Sequence, residues 1–239
     1  MNKEEFIKRV KEDLNITLTK EMLTKLDFYA AFLIEYNKHT NLTALKTLEE
    51  IYLKHFYDSL TLIKTINLSS INTLCDVGTG AGFPGLVLKI VFNNLNVTLI
   101  DSNNKKIKFL EELVKKLELN GASVINMRSE DYAKENKEKF DVVTARAVTT
   151  LPVLIELCLP LVKENGYFIP LKGNAEDEIN ISKNILGILN GAIEDIYKFV
   201  LPEENSTRTI IKIKKNSKTP EGYPRSYDKI KKSLKKYLK

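Results

Sequence analysis

Residues 74–85 read LCDVGTGAGFPG, and this segment indicates the architecture of the chain more clearly than any other. A short apolar run ends in an acidic residue and opens into a turn that contains four glycines. Glycine lets a backbone turn sharply and approach a ligand closely, and Pro84 suits the first turn of a following helix. In open α/β sheets, ligands bind beyond the carboxyl ends of the strands. The stretch therefore predicts a strand, a ligand-binding loop and a helix.

Short apolar runs alternate with amphipathic stretches on the carboxyl side of this loop and just before it. The runs cover residues 71–77, 97–100, 124–126, 140–144 and 166–171. Alternation of this kind predicts a parallel sheet with helices on both faces. Two further apolar segments, 192–200 and 208–214, are joined by a polar turn and predict a hairpin, which makes the sheet mixed.

The residues before this alternation predict helices rather than strands. Apolar residues line one helical face between Thr19 and Asn37, and Thr47 and Glu50 have the spacing of a capping box. We therefore divide the chain into an N-terminal helical segment, residues 1–66, and a Rossmann-like domain with a basic C-terminal tail, residues 67–239.

Charge is distributed unevenly along the chain. The formal net charge is +6 over 239 residues, but the part from Arg208 onward has twelve basic and two acidic residues. The remainder of the chain therefore carries a net charge of −4. A basic end on a slightly acidic body fits an element that faces phosphates, and it fits a solubilising tail equally well.

Composition also limits the kind of protein. The only histidines are His39 and His55, so a multi-histidine metal site is excluded, and we expect no metal. Cys75 and Cys158 lie in apolar runs without metal spacing and are expected to be buried and inert. The sequence contains no apolar stretch long enough to span a membrane, and its start does not resemble a signal peptide. We expect a soluble protein of the reducing cytoplasm.

The glycine-rich loop is compatible with two cofactors. Residues 80–85 fit the dinucleotide pattern G-x-G-x-x-G, which favours NAD. Asp101, at the end of the second strand, can accept hydrogen bonds from ribose hydroxyls, which both NAD and S-adenosylmethionine possess. Asp76 favours S-adenosylmethionine, because a carboxylate there can bind the methionyl ammonium and would repel a pyrophosphate. We therefore predict the class I S-adenosylmethionine-dependent methyltransferase fold.

Further residues are predicted to complete the cofactor site beside Gly78, Gly80 and Asp101. Ser129 and Glu130 follow the third strand, where main-chain groups could read the adenine edge, although Glu130 could instead cap a helix. Arg146 follows the fourth strand and could clamp the methionyl carboxylate, or it could form an ion pair with Asp76, Asp141 or Glu130. Phe83 could pack on the cofactor or belong to the core.

The motifs occur in an order that resembles the bacterial 16S rRNA (guanine-N7)-methyltransferase G family, also called glucose-inhibited division protein B. The resemblance covers nearly the whole chain and rests on residues 41–44, 53–60, 76–85, 99–102, 106–110, 145–148, 171–173, 219–220 and 223–225. In that family, the positions of Gly78, Phe83, Ser129, Glu130 and Arg146 line the cofactor pocket. After Arg225 the family is usually richer in proline and glycine, whereas this tail is rich in lysine.

The resemblance implies methylation of N7 of a guanosine in 16S rRNA of the small ribosomal subunit. Guanine N7 has a lone pair and no proton, so no catalytic base is predicted. Candidate phosphate contacts are Lys54, His55, Lys172, Arg225 and the terminal lysines. Two alternatives remain at this point: an NAD-dependent oxidoreductase that uses the same loop, and an RNA-binding module without catalytic activity.

Overall fold

Seven strands form one mixed sheet in the computed structural model, which describes residues 1–234. The strands are β1 (Thr73–Val77), β2 (Asn96–Asp101), β3 (Ala122–Asn126), β4 (Phe140–Arg146), β5 (Val162–Lys172), β6 (Gly191–Leu201) and β7 (Ser206–Lys215). Their order is β3-β2-β1-β4-β5-β7-β6. The first five are parallel, and β7 is antiparallel to β5 and β6. The predicted mixed sheet is confirmed, and every predicted run overlaps a strand.

Helices cover both faces of this sheet, as the alternation predicts. They are α5 (Gly85–Val91), α6 (Asn104–Lys116), α7 (Ser129–Glu135), α8 (Leu151–Cys158), α9 (Glu176–Ile188) and α10 (Tyr227–Leu234). Side chains of α5 and α6 belong to one buried cluster, and those of α7, α8 and α10 belong to a second. Cys75 and Cys158 are free and fully buried in the second cluster, which confirms their predicted burial.

The N-terminal segment is helical and packs on the face that carries α5 and α6. Its helices are α1 (Lys3–Leu14), α2 (Lys20–Thr40), α3 (Leu48–Glu50), a π-helical stretch (Ile51–Tyr57) and α4 (Asp58–Leu60). The capping box before α3 is confirmed, since the Thr47 hydroxyl accepts from the Glu50 amide at 3.2 Å. Residues of this segment and of the sheet share one core. The division of the chain at residue 66 stays a prediction.

The π-helical stretch was not predicted. Apolar spacing over two turns does not distinguish the hydrogen-bond pattern of an α-helix from the wider pattern of a π-helix, which occurs mainly in short stretches and often at functional sites. The stretch contains Lys54 and His55 and is followed directly by Asp58. All three residues border a cavity described below.

Tyr29 connects the N-terminal segment to the glycine loop, residues 78–85. Its side chain is fully buried, and its hydroxyl donates a hydrogen bond to the Ala81 carbonyl within the loop. Because Tyr29→Phe leaves a buried carbonyl without this donor, we expect unfolding free energy to fall by about 1–2 kcal/mol. Urea unfolding measures this. Tyr36→Phe, at a partly exposed position of the same helix, is the control, and equal losses in the two variants would contradict the role assigned to Tyr29.

Candidate functional site

The glycine loop begins directly after β1 and is held against the end of β2. The amides of Gly78 and Thr79 both donate to the Ile100 carbonyl, at 2.8 and 3.0 Å. Gly78 has a φ of +67°, and a Cβ there would lie 2.6 Å from a Val148 methyl carbon. A residue with a side chain would therefore be strained in backbone and would clash. Glycine at position 78 lets the start of the glycine loop lie directly against Val148 and the end of β2.

Asp76 shapes the loop from inside. One carboxylate oxygen accepts from the Thr79 hydroxyl at 2.6 Å and from the Gly85 amide at 2.8 Å, while the other oxygen is buried without a hydrogen-bond partner. Burial raises the pKa of Asp76 to about 6. The carboxylate therefore stabilises the turn itself, and its predicted contact with a methionyl ammonium stays a prediction.

Asp101 lies at the end of β2 beside the same loop. Its carboxylate accepts from the amides of Gly80, at 3.0 Å, and Asn103, at 2.9 Å. The ammonium group of Lys106 lies 3.5 Å from it. These contacts fix the carboxylate at the wall of a cavity that both Asp101 and Lys106 border.

This cavity, called the glycine-loop cavity, runs along the carboxyl ends of β1, β2, β3 and β4. Four of the predicted cofactor-binding residues border it: Gly78, Asp101, Ser129 and Glu130. Its wall also contains residues that the sequence interpretation did not select, namely Lys106, Arg128, Ala147, Val148 and Tyr227. Of the other predicted residues, Gly80 contacts Asp101 as described, whereas Phe83 and Arg146 do not border this cavity.

Ser129 and Glu130 begin α7 at the end of β3. Glu130 is only 7% exposed, and its carboxylate lies 3.2 Å from Nε of Arg128 and 3.5 Å from the Ser129 hydroxyl. The N-cap residue of α7 is Arg128, and no side chain caps the helix there. The alternative that Glu130 acts as the cap residue of α7 is therefore wrong. The Glu130 carboxylate instead contacts Arg128 and Ser129 at this end of the cavity.

Phe83 belongs to an aromatic stack between the two halves of the fold. Its ring is stacked on Tyr29, with centroids 5.2 Å apart, and on His55, with centroids 4.0 Å apart. The Arg146 guanidinium lies 5.3 Å from the Phe83 ring centroid. Phe83 thus packs in the core and places His55 and Arg146 at the edge of a second cavity.

Arg146 is held by the N-terminal segment. Its guanidinium donates to the Asp58 carboxylate at 2.8 Å and to the Lys54 carbonyl at 2.9 Å. The other Asp58 oxygen accepts from Nε of Arg208 at 3.2 Å. Arg146 therefore forms an ion pair with Asp58, and the alternative that its partner is Asp76, Asp141 or Glu130 is wrong. Asp58 also pairs with Arg208.

His55 is neutral in this arrangement. Its Nδ1 lies 3.1 Å from a guanidinium nitrogen of Arg146, which can only donate, so Nδ1 accepts and Nε2 donates to the Thr43 hydroxyl at 3.0 Å. Burial, together with the charge of Arg146, lowers the pKa of His55 to about 3. His55 therefore brings no positive charge to this site, and its candidate contact with phosphate stays a prediction.

The second cavity, called the basic cavity, lies beside the glycine-loop cavity, and Ala147 borders both. Its wall contains Lys54, His55, Asp58, Arg146, Lys172 and Arg208. The wall has four cations and one carboxylate, and two further carboxylates pair with these cations from behind: Glu178 with Lys172, and Glu204 with Lys54 and Arg208. The net charge is slightly positive, which favours an anionic occupant. Lys172 contacts Glu178 and the Thr149 carbonyl, both at 2.9 Å, so its position is fixed.

The remaining phosphate-contact candidates lie elsewhere. Arg225 forms an ion pair with Glu156 at 2.6 Å, so its charge is used within the fold. The last lysines, Lys235, Lys236 and Lys239, lie outside the described residues. Within residues 1–234 there is no cluster of three potential metal ligands and no helix long and apolar enough to cross a membrane.

Comparison with known proteins identifies the family. The family model described as GidB, rRNA small subunit methyltransferase G, matches residues 22–207. This chain belongs to that family. Methyltransferase G of Bacillus subtilis is 46% identical over 228 residues, which cover 94% of this chain and 95% of that protein. Methyltransferase G of Macrococcus caseolyticus is 45% identical over the same shares.

Solved structures of other methyltransferases and related proteins have the same fold as this chain, although their sequence identity to it is low. TYW2 of M. jannaschii in complex with AdoMet has a TM-score of 0.53 at 16% identity, over 66% of this chain and 76% of that one. Precorrin-6y C5,15-methyltransferase of Geobacter metallireducens has a TM-score of 0.52 at 12% identity, over 66% and 87%. These similarities confirm the predicted class I methyltransferase fold.

Proposed function

We propose that this protein transfers a methyl group from S-adenosylmethionine to N7 of a guanosine in 16S rRNA of the small ribosomal subunit. Membership of the rRNA small subunit methyltransferase G family supports the reaction class and the RNA. The observation that carries the proposal is the meeting of two cavities at Ala147. One has the features of a cofactor site, and the other has a cationic wall suited to a nucleotide. We further propose that the protein works in the cytoplasm.

The glycine-loop cavity fits S-adenosylmethionine better than it fits NAD. Three carboxyl groups lie at this cavity: those of Asp101 and Glu130 border it, and that of Asp76 lies directly behind the glycine loop. A pyrophosphate there would meet repulsion, whereas a sulfonium cofactor carries no phosphate. We assign Asp101 to the ribose, Ser129 and Glu130 to the adenine end, and Gly78 to the passage toward the reacting methyl group. Calorimetric titration with each cofactor tests this, and binding of NAD alone would overturn it.

Arg146 is proposed to bind the methionyl carboxylate, because it lies next to Ala147 at the junction of the cavities. We expect Arg146→Ala to weaken S-adenosylmethionine binding at least tenfold, since a charge-assisted hydrogen bond is lost. Methylthioadenosine, which lacks the carboxylate, should bind the variant and the parent equally. Arg208→Ala, which removes the other cation held by Asp58, is the control. Unchanged S-adenosylmethionine affinity in Arg146→Ala would show that Arg146 has no such contact.

Methylation of N7 depends on how the two reactants are positioned, and it requires no proton transfer. S-adenosylmethionine supplies an activated methyl group, and guanine N7 presents an in-plane lone pair without a proton. The residues of the chain therefore have to hold N7 in line with the methyl group, and orientation of this kind can contribute roughly 7–11 kcal/mol. Lys54 and Arg208 can orient the nucleotide through its phosphates. His55 packs on Phe83 and gives the cavity an uncharged, rigid wall.

The absence of a required base gives a pH prediction. The pKa of His55 is about 3, so its charge does not change between about pH 6 and 8. Asp76, with a pKa of about 6, changes charge at the lower end of this range, but it lies under the glycine loop and does not border the basic cavity. The measurement therefore uses saturating S-adenosylmethionine. Single-turnover methyl transfer should therefore be nearly flat across this range when measured by rapid quench. A tenfold rise per pH unit would indicate that a group must lose its proton, and it would count against N7 as the acceptor.

A further inference from the structure

Tyr227 brings the C-terminal segment to the cofactor cavity. It is the first residue of α10, yet its side chain borders the glycine-loop cavity beside Arg128, Ser129 and Glu130. These three residues follow β3, at the end of the cavity that the proposed function assigns to adenine. Tyr227 is thus a distant part of the chain that completes the wall at the nucleoside end.

The Tyr227 ring is held in place by cations. The Arg128 guanidinium lies 4.8 Å from the ring centroid, and the Lys231 ammonium lies 5.0 Å from it. Arg128 also lies 3.2 Å from the Glu130 carboxylate. Cations at these distances from a tyrosine ring are attracted to it. The ring is therefore connected through Arg128 to Glu130, which borders the same end of the cavity.

A partly buried ion pair anchors the segment that carries Tyr227. Arg225 donates to both oxygens of Glu156, through Nε at 2.7 Å and through a terminal nitrogen at 2.6 Å. Glu156 is 1% exposed on α8, and such a two-point contact fixes direction as well as distance. Ile230 is also 1% exposed and packs in the second core. Residues 223–234 therefore form a strap fastened on both sides of Tyr227.

We propose that Tyr227 is a further cofactor-binding residue, whose ring contacts the nucleoside half of S-adenosylmethionine while the Arg225–Glu156 pair holds the strap over it. This rests on the proposed function, because it takes the glycine-loop cavity as the cofactor site. Aromatic rings are suitable partners for a purine, since every base has a π-face. The strap reduces the freedom of a bound nucleoside to leave along this side.

Calorimetry on the full chain tests the contact. Tyr227→Ala should weaken S-adenosylmethionine and methylthioadenosine equally, by about tenfold, because the lost contact is to the half that both share. Tyr227→Phe keeps the ring and should bind both within twofold of the parent. Lys232→Ala, at an exposed position of the same helix, is the matched control and should change neither affinity. Unchanged binding by Tyr227→Ala, or equal losses in the Ala and Phe variants, would overturn the assignment.

A second variant tests the strap without changing Tyr227. The double variant Glu156→Gln with Arg225→Gln removes the ion pair while keeping polar groups at both positions. Release of tritiated S-adenosylmethionine in a chase should become several-fold faster, with a melting temperature that shows the fold is retained. Unchanged release would overturn the strap. If the parent protein itself binds no S-adenosylmethionine, the proposed function fails, whereas normal binding by every variant refutes only the role of Tyr227.

Discussion

Replacement of Gly78 by alanine is expected to reduce S-adenosylmethionine affinity at least a hundredfold. The residue has a φ of +67°, and a new Cβ would lie 2.6 Å from a Val148 methyl carbon at the wall of the glycine-loop cavity. The left-handed backbone alone costs about 1–2 kcal/mol for a residue with a side chain. The clash then pushes the loop or Val148 into the space that the cofactor needs. Isothermal titration calorimetry with the full chain measures the effect.

Gly80→Ala is the matched control for this result. Gly80 has a φ of +64°, so it carries the same backbone cost, but a new Cβ there would meet only the flexible end of Lys106, with Nζ at 3.9 Å. We expect the control to lose less than tenfold in affinity. Equal losses in the two variants would assign the effect to backbone strain alone. Full affinity in Gly78→Ala would show that the cofactor does not pass this point of the loop.

Replacement of Asp58 by asparagine is expected to lower the rate of methyl transfer about a hundredfold. Asp58 is 5% exposed and pairs with both Arg146 and Arg208. Removal of one member of a buried ion pair typically costs about 3–5 kcal/mol, because the remaining charge is left without a partner. The two arginines would then lose their orientation in the basic cavity. Single-turnover transfer and urea unfolding, measured together, give both effects.

Asp141→Asn separates the loss of stability from the loss of activity. Asp141 pairs with Lys163 at 2.6 Å and accepts from the Thr73 amide, at the amino ends of β4 and β1 and therefore at the end of these strands opposite the site. The lysine and these hydrogen bonds hold the pKa of Asp141 below its usual value, so its charge stabilises the fold at neutral pH. We expect this variant to lose stability and keep its transfer rate. If Asp58→Asn behaves in the same way, Asp58 has no role in positioning the acceptor.

The sequence predicts the sheet well because strand formation depends on local patterns. A buried parallel strand needs a short apolar run, and each of the seven predicted runs overlaps a strand. The glycine loop is equally local, since its glycines take a conformation that other residues avoid. The motif after β1 and the acidic residue after β2 therefore indicate Gly78 and Asp101 directly, and both border the glycine-loop cavity.

The partners of Arg146 could not be predicted in this way. Asp58 lies 88 residues earlier in the chain, and no local pattern indicates which of several carboxylates meets Arg146 in the folded state. Tyr227 was missed for the same reason, because it reaches the cavity only through the docking of the C-terminal segment on α8. Such contacts depend on tertiary packing rather than on spacing along the chain.

His55 illustrates how environment changes the meaning of a residue type. A histidine among basic residues is a reasonable candidate for phosphate binding if its side chain has the ordinary pKa of histidine in water. Beside Arg146 and against Phe83, however, the charged form is disfavoured and the pKa is about 3. The side chain is then an uncharged packing and hydrogen-bonding group.

The most direct test is to identify the nucleoside that receives the methyl group. Small ribosomal subunits from cells that lack this gene would be incubated with the purified protein and S-adenosylmethionine labelled in its methyl group. The 16S rRNA would then be digested to nucleosides and separated by chromatography. We expect the label in 7-methylguanosine at a single position of the RNA. Label in another nucleoside, or no label with a protein that binds the cofactor, would contradict the proposed reaction.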